Sequence, residues 1–516
     1  MTNQRQLLGR RSQWCSRPLA SWCVAGAFTL LVGAPLHAAT FTVTSTLDAV
    51  DDNIGDSICH TALGVCTLRA AIQEANALAG PDTIDVAVVG TIKLTIPGGL
   101  TINDDVSING DGHQSTIIDG NKLDRVFLIN SSTHDASITG VTIKNGKTSG
   151  DGGGIEDFAA LTLSDVVIQG NHADGRGGGI YNHYGNYSGT VTIGQASCLD
   201  SYVSGLPGAI ISGNSSASSG GGIYNDDTLI VNGSVITGNI GGDASAIHNA
   251  GAAAIFYTSI DHNAAPGNAT IWNNGTLDIE FSSVASNNGA GILGGLNGPS
   301  TALFQVTVVG NKGGGILNNS GSMTISGSAV LTNTNGSGGA GVFQNGGTMS
   351  ITNTTIARNK STSGPGGGIF NHATLSLTNV TLADNVAPTA SSISTANGTA
   401  NVRNTIVKGK NNCDAPVAVT GNNIESENSC GFTALTDKPN TDPLLVTTQD
   451  PENGFEPFFP VTVHVPLVAS LKRGSPAVDA GDNTVCPPSD QRTVQRPIDG
   501  NGDGTATCDI GAYELQ

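Results

Sequence analysis

Hydrophobic and polar positions along the middle of this chain recur with a period of about 24 residues, the mark of a repeat architecture. One unit reads Leu375-Ser-Leu377-Thr-Asn-Val380-Thr-Leu382-Ala-Asp-Asn385, and its frame returns at Met349 to Asn359, Leu229 to Asn239 and Leu161 to Asn171. The closing asparagines are Asn145, Asn171, Asn214, Asn239, Asn263, Asn287, Asn311, Asn333, Asn359 and Asn385. From Asn214 to Asn385 the steps are 25, 24, 24, 24, 22, 26 and 26, whereas the step into Asn214 is 43. Half a unit away sits a second marker, Gly-Gly-Gly-Ile-x-Asn, at 177–182, 220–225, 313–318 and 366–371, with weaker copies ending at Asn249 and Asn273.

Each unit thus holds three short strands, Ile-x-Asn, Leu-x-Ile and Ile/Val-x-x-Asn, whose alternation turns one apolar face inward. Turns too short for a helix make each unit a coil stacked on the next. The pattern predicts an all-β fold, a right-handed single-stranded parallel β-helix over residues 97–400. Ten coils at the spacing of neighbouring strands make a rod of roughly 50 Å. A leucine-rich repeat needs helical segments and a propeller needs longer blades, and neither pattern is present. Asparagine at one recurring turn tolerates a left-handed backbone and can stack into an amide ladder. The glycine triplets mark a corner where side chains would clash or φ must be positive.

Residues 1–38 read as a secretory signal: Arg5, Arg10, Arg11 and Arg17, then an apolar run from Ala20 to Ala34, then small residues at Ala38 and Ala39. Its removal takes the formal net charge from −19 to −23 by loss of four arginines. That balance argues against nucleic acid and anionic membranes as partners. No later segment is apolar and long enough to span a bilayer, and an extracytoplasmic monomer is expected. Beyond the signal, six of seven cysteines form close sequence pairs, Cys59 with Cys66, Cys413 with Cys430 and Cys486 with Cys508, leaving Cys198 over. In an oxidising compartment disulfides are the expected state; metal–thiolate sites are the rival, but no C-x-x-C spacing occurs.

The ends of the rod need caps, because an open β-helix exposes strand edges. Residues 39–96 contain one convincing helix, 67–77, with Leu68, Ala71, Ile72 and Ala75 on one stripe and Thr67 placed to cap it. A binding helix is the sharper reading and a cap over the first coil the plainer one. The stretch Cys66-Thr-Leu-Arg-Ala-Ala71, followed by Ile-Gln-Glu-Ala-Asn, resembles the CSLREA domain at the front of exported bacterial β-helix proteins, with Thr67 and Ala70 departing from the family's Ser and Glu. In residues 401–516, Gly474-Ser-Pro-Ala-Val-Asp-Ala-Gly481, Asp490-Gln-Arg492, Arg496-Pro497 and Cys508-Asp-Ile-Gly-Ala-Tyr-Glu514 resemble the choice-of-anchor Q domain. The resemblance implies a surface-sorting tail beyond it. The chain stops two residues after Glu514, so free secretion or periplasmic residence is expected.

Candidate chemistry is sparse, and no catalytic residue is assigned. Between residues 152 and 400 the basic residues are Arg176, Lys312, Arg358 and Lys360, with no acid recognised one repeat away in register. The acidic doublet Asp226-Asp227 reads as a solvated turn. Asp111 with His113 could do acid–base work, although Gly110-Asp-Gly and Asp119-Gly-Asn121 are foremost turn formers. Asp499-Gly-Asn501-Gly-Asp503-Gly504 matches the opening of a calcium loop, with Asp509 near the closing position and a polar turn as the rival. Tyr184, Tyr187 and Tyr202 gather in the insertion before Asn214 and form a candidate ligand face. The expected function is a secreted or surface-associated scaffold for adhesion or glycan interaction. The rival is a calcium-dependent, pectate-lyase-like polysaccharide lyase or another carbohydrate-active enzyme. The Gly-Gly-x-Ile and x-x-Asn units are similar to those of chlamydial polymorphic outer membrane proteins, which implies the first.

Overall fold

A computed structural model describes residues 38–184, 189–194, 208–265, 268–446 and 467–516, with the backbone of 457–458 and 461–462. Three long sheets of fifteen, fourteen and twelve strands wrap the rod, and successive coils contribute one strand to each. Every strand pairing described is parallel except Pro457–Phe458 with Val461–Thr462. The chain is therefore a parallel β-helix of about twelve turns rather than ten. The additional turns lie before Asn145 and after Asn385, where neither asparagine nor the glycine triplet marks the unit. The boundaries expected at 96/97 and 400/401 fall inside continuous ladders. Asp82–Val86 pairs with Val106–Gly110, and Thr374–Thr378 pairs with Thr399–Arg403.

Alternation buries one residue in two. The twelve-stranded sheet turns Ile155, Ile180, Ile223, Ile247, Ile271, Ile292 and Ile316 inward, all at most 2% exposed. In the fifteen-stranded sheet a paired inward file runs from Val106 and Ile108 through Leu161 and Leu163 to Ala400 and Val402. Each such aliphatic side chain contributes about 1.5–3 kcal/mol by leaving water.

Asparagine forms the expected ladder inside one corner. From Asn171 through Asn214, Asn239, Asn263, Asn287, Asn311, Asn333 and Asn359 to Asn385, each side-chain amide donates to the next Oδ1 at 2.9–3.2 Å. Asn145 does not belong to it: Gly146 occupies the ladder position and donates its N–H to Asn171 Oδ1 at 2.8 Å. The left-handed conformation also belongs one residue earlier, at Gly170, Gly213, Gly238, His262, Ser286, Gly310, Thr332, Arg358 and Asp384, and Asn145 stands there with φ 55°. Ladder asparagines serve hydrogen bonding, and the residue before them takes the strained turn.

The glycine triplet does both things expected of it. Gly177 has φ 64°, whereas a Cβ on Gly178 or Gly179 would meet a carbonyl of the next coil at 2.3 or 2.6 Å. Adjacent coils pack backbone to backbone at this corner.

Helix α1, Leu68–Ala77, covers the first coil with Leu68, Ala71, Ile72 and Ala75. Thr67 accepts the Ala70 N–H, Arg69 pairs with Asp48 at 2.6 Å, and the Cys59–Cys66 disulfide precedes it. The Cys413–Cys430 disulfide lies at the other end beside buried Val417 and Phe432. The tail runs back along the outside of the fourteen-stranded sheet. Leu471, Ala477 and Ile510 pack on Leu331, Ala357, Ala383 and Ile406, and Gln491 accepts a hydrogen bond from Thr355 Oγ1 at 2.6 Å. Its motif residues build that lateral unit: Arg496 pairs with Glu514, both fully buried, and Cys486–Cys508 closes it.

Candidate functional site

The middle residue of each Ile-x-Asn strand faces outward, and parallel register stacks these residues into one file. It runs Leu128, Glu156, Tyr181, Tyr224, His248, Trp272, Leu293, Leu317, Phe343, Phe370 and Ser394. The rings touch: Tyr181 with Tyr224 at 5.4 Å, Tyr224 with His248 at 4.5 Å, His248 with Trp272 at 6.0 Å and Phe343 with Phe370 at 5.2 Å. Tyr224, Trp272, Phe343 and Phe370 are half-buried, whereas Tyr181 and His248 are buried, at 1% and 7% exposed. Seven coil spacings separate Tyr181 from Phe370, an aromatic and aliphatic floor about 34 Å long.

Two turns wall this floor. On one side stand Arg125, Asp151, Arg176 and Ser219; on the other, His183, Asp226, Asn274 and His372. Arg176 bridges them. It pairs with Asp151 at 2.9 Å and with Asp226 at 3.5 Å, its guanidinium carbon lying 4.6 Å from the Tyr181 ring centre and 5.0 Å from that of Tyr224. Tyr181 donates its hydroxyl to Asp226 at 2.7 Å, and Arg125 pairs with Glu156 at 2.9 Å. Phe158 stacks on His183 at 4.5 Å.

Proton affinities follow from burial and these partners. Burial alone would weaken the Arg176 charge, but hydrogen bonds to Asp151 and Tyr224 hold it firmly protonated. Burial and the Asp226 carboxylate keep Tyr181 protonated as well. Burial lifts Glu156 above the usual carboxylate range, against the pull of Arg125. Burial lowers His248 to about 4. Ser219 and His248 are 2.7 Å apart, yet they do not form a nucleophilic pair. The Asn274 amide donates to His248 Nε2, so Nδ1 carries the proton and donates to Ser219 rather than accepting from it.

Acids from neighbouring coils therefore do flank Arg176, contrary to the sequence reading, because Asp151 and Asp226 sit in turns rather than in the strand frame. Asp226 is a partner of Tyr181 and Arg176, not merely a solvated turn residue, and Asp227 accepts the Gly189 N–H. His113 pairs with Asp165 at 2.6 Å rather than with Asp111. Tyr184 is 73% exposed beside His183; Tyr187, Tyr202 and Cys198 lie outside the described residues, as does the expected signal up to residue 37. In the calcium-like loop, Asp499 accepts the N–H groups of Gly502, Asp503 and Gly504, and Asn501 donates to Asp503. Asp509 is turned away, accepting from Asp479 and Leu515, and burial raises it to about 7. Among the described residues no three His, Cys, Asp or Glu side chains converge on a common metal position.

Neither a family model nor a curated protein sequence matches the chain. Among solved structures it is similar to pectate lyase Pel9A, at 12% identity, TM-score 0.30, covering 91% of this chain and 96% of that one. It is also similar to the A-module of Azotobacter vinelandii mannuronan C-5 epimerase AlgE6, at 14% identity, TM-score 0.25, covering 70% and 99%.

Proposed function

We propose that this protein is an extracellular carbohydrate-active β-helix that holds a glycan along the groove floored by Tyr224 to Phe370. One observation carries the reading: a file of outward aromatic residues runs parallel to the rod, walled by side chains that donate and accept hydrogen bonds. A pyranose has an apolar C–H face and a hydroxyl rim, and such a groove offers a partner to each. Tyr224 stacks on His248 and His248 on Trp272, and Leu293 and Leu317 continue the file to Phe343. Three carboxylates, Asp151, Glu156 and Asp226, meet two guanidiniums, a balance that favours an uncharged glycan in this groove. The three disulfides, the signal-like residues 1–38 and the resemblances to CSLREA and choice-of-anchor Q domains support work outside the cytoplasm.

Adhesion scaffold and enzyme are two forms of this reading. The specific observation favouring a polysaccharide lyase is Arg176 and Tyr181 meeting at one Asp226 between acids of neighbouring coils. Against it, both groups are held protonated and neither is poised to abstract a proton, and the excess of carboxylates over guanidiniums disfavours the uronate that β-elimination requires. Incubation with neutral and acidic polysaccharides, followed by unsaturated-product absorbance with and without EDTA, separates the two forms. Binding without product supports the scaffold; product lost in Arg176→Ala supports the lyase; neither binding nor product contradicts both.

A further inference from the structure

Round the corner from the wall residue Arg125, the uncovered end of the fourteen-stranded sheet carries an arrangement the proposed function does not use. Lys93, Asp119 and Lys144 occupy one register position on three successive coils. The turn after Asp119 brings Asn121 and Lys122 beside them, both with positive φ, 53° and 60°. Lys93, Asp119, Asn121, Lys122 and Asn145 line a depression of about 360 Å³.

Charge here runs against the rest of the molecule. The chain has a formal net charge of −19, yet three ammonium groups share one carboxylate at this place. Asp119 is already engaged: it accepts from the Asn145 amide at 3.0 and 3.1 Å and from the Asn121 N–H at 2.9 Å, and lies 3.8 Å from Lys144 Nζ. Among the described residues neither Lys93 nor Lys122 has a carboxylate in salt-bridge range. Gathering unmatched ammonium groups around one concave surface is unfavourable unless an anion enters it. The Asn121 and Asn145 amides give the depression side-chain oxygens to accept hydroxyl protons.

We propose that this depression is a second, separate binding site, taking an anionic sugar residue through its carboxylate or sulfate. The lysines hold the anion and the amide oxygens take the neighbouring hydroxyls. The net charge of −19 on the chain as a whole repels extended polyanions, so an isolated charged sugar on a lightly charged chain fits best.

Calorimetric titration of the folded, disulfide-intact protein tests this with a uronate trisaccharide, a monosulfated disaccharide, their neutral counterparts and inorganic sulfate. At least one anionic sugar is expected to bind tenfold or more tightly than its neutral counterpart. That binding should weaken between 50 and 300 mM salt, roughly as the screening length shortens. K93Q/K122Q/K144Q should lose at least tenfold in affinity, and K93R/K122R/K144R should keep it. The lysines being at the surface, both variants should melt with the wild type by circular dichroism. Equal affinity for neutral and anionic sugars, or an unaffected glutamine variant, overturns the site. Inorganic sulfate binding as tightly as the sulfated sugar overturns the role given to the amides. Trp272 emission separates this site from the groove: a Trp272 response that persists in the glutamine variant assigns the ligand to the groove instead.

Discussion

Two outer faces of the same rod carry apolar residues, and they carry them differently. On the fourteen-stranded sheet one register position reads Lys93, Asp119, Lys144, Gln169, Ser212, Thr237 and Asp261, then changes to Ala285, Val309, Leu331, Ala357 and Ala383. The change falls where the tail lies against the sheet, and Ala357 and Ala383 are at most 1% exposed. On the twelve-stranded sheet six of the eleven outward residues from Leu128 to Ser394 are rings, and Tyr224, Trp272, Phe343 and Phe370 among them remain half-buried. Small residues mark a face sealed by the protein's own chain. Large rings set among walls of polar groups mark a face open to something else.

The largest expected effect comes from breaking the sealed face. Ala383→Glu places a carboxylate beneath the tail and should destabilise the protein by about 3–5 kcal/mol in chemical denaturation. Limited proteolysis should then release residues 467–516 early; an unchanged midpoint and cleavage pattern would mean that the tail is not seated there.

Next comes the interior of the open face. In the twelve-stranded sheet a second amide series links Asn182, Asn225, Asn249 and Asn273. Asp157 is fully buried at the same register position one coil earlier, opposite Asn182, and Asp157 Oδ2 and Asn182 Oδ1 both lack partners. Burial, reinforced by Asp227, raises Asp157 to about 8. The folded state therefore binds the proton more tightly than the unfolded chain. This contribution to stability is full below the unfolded value near 3.8 and is lost as pH rises to about 8. Asp157→Asn supplies a neutral donor to Asn182 and should raise stability at pH 8 by roughly 2–4 kcal/mol, with little change at pH 3.5. A gain of equal size at both values would remove the protonation account.

The asparagine corner gives a smaller contrast. Asn263→Ala opens the buried ladder on both sides and should lower stability by about 1–3 kcal/mol. Asn145→Gly, outside that ladder and already at positive φ, should change it by under about 1 kcal/mol. Equal losses would put Asn145 back in the ladder. Smallest for stability is Arg176→Ala, a half-exposed side chain whose ion pairs are screened by water, at about 1 kcal/mol or less. Its effect should appear as an approximately tenfold loss of glycan affinity, worth about 1.4 kcal/mol. Unchanged affinity would remove Arg176 from the site.

Periodic features of this molecule were legible because parallel register copies a sequence period directly into space. The strands, the inward files and the glycine corner could be read that way, whereas the capping helix was legible from its apolar stripe and the three cysteine pairs from their closeness in sequence. Asn145 was misplaced because Asn145-Gly146 inverts the order of Gly170-Asn171, and spacing alone does not separate a turn residue from a ladder residue. The first and last coils were missed because they keep the strand alternation but lack both markers. The aromatic file was present in the sequence as the middle residue of each Ile-x-Asn strand, Tyr181, Tyr224 and Phe370 among them, but became a surface only once the coils were stacked. Asp151 and Asp226 were not legible as partners of Arg176, because turn residues carry no period and the insertion shifts one of them by an extra 19 residues.

Trp14 and Trp22 lie within the signal-like residues 1–38, which leaves Trp272 as the sole tryptophan of the remaining sequence. In protein produced without residues 1–38, its emission reports on the groove alone. Titration with a panel of neutral oligosaccharides should produce a saturable change in Trp272 emission for at least one member, weakened about tenfold in Arg176→Ala and indifferent to substitution of Lys93, Lys122 and Lys144. Glycan binding that leaves Trp272 emission unchanged would contradict the assignment of the open aromatic face as the site.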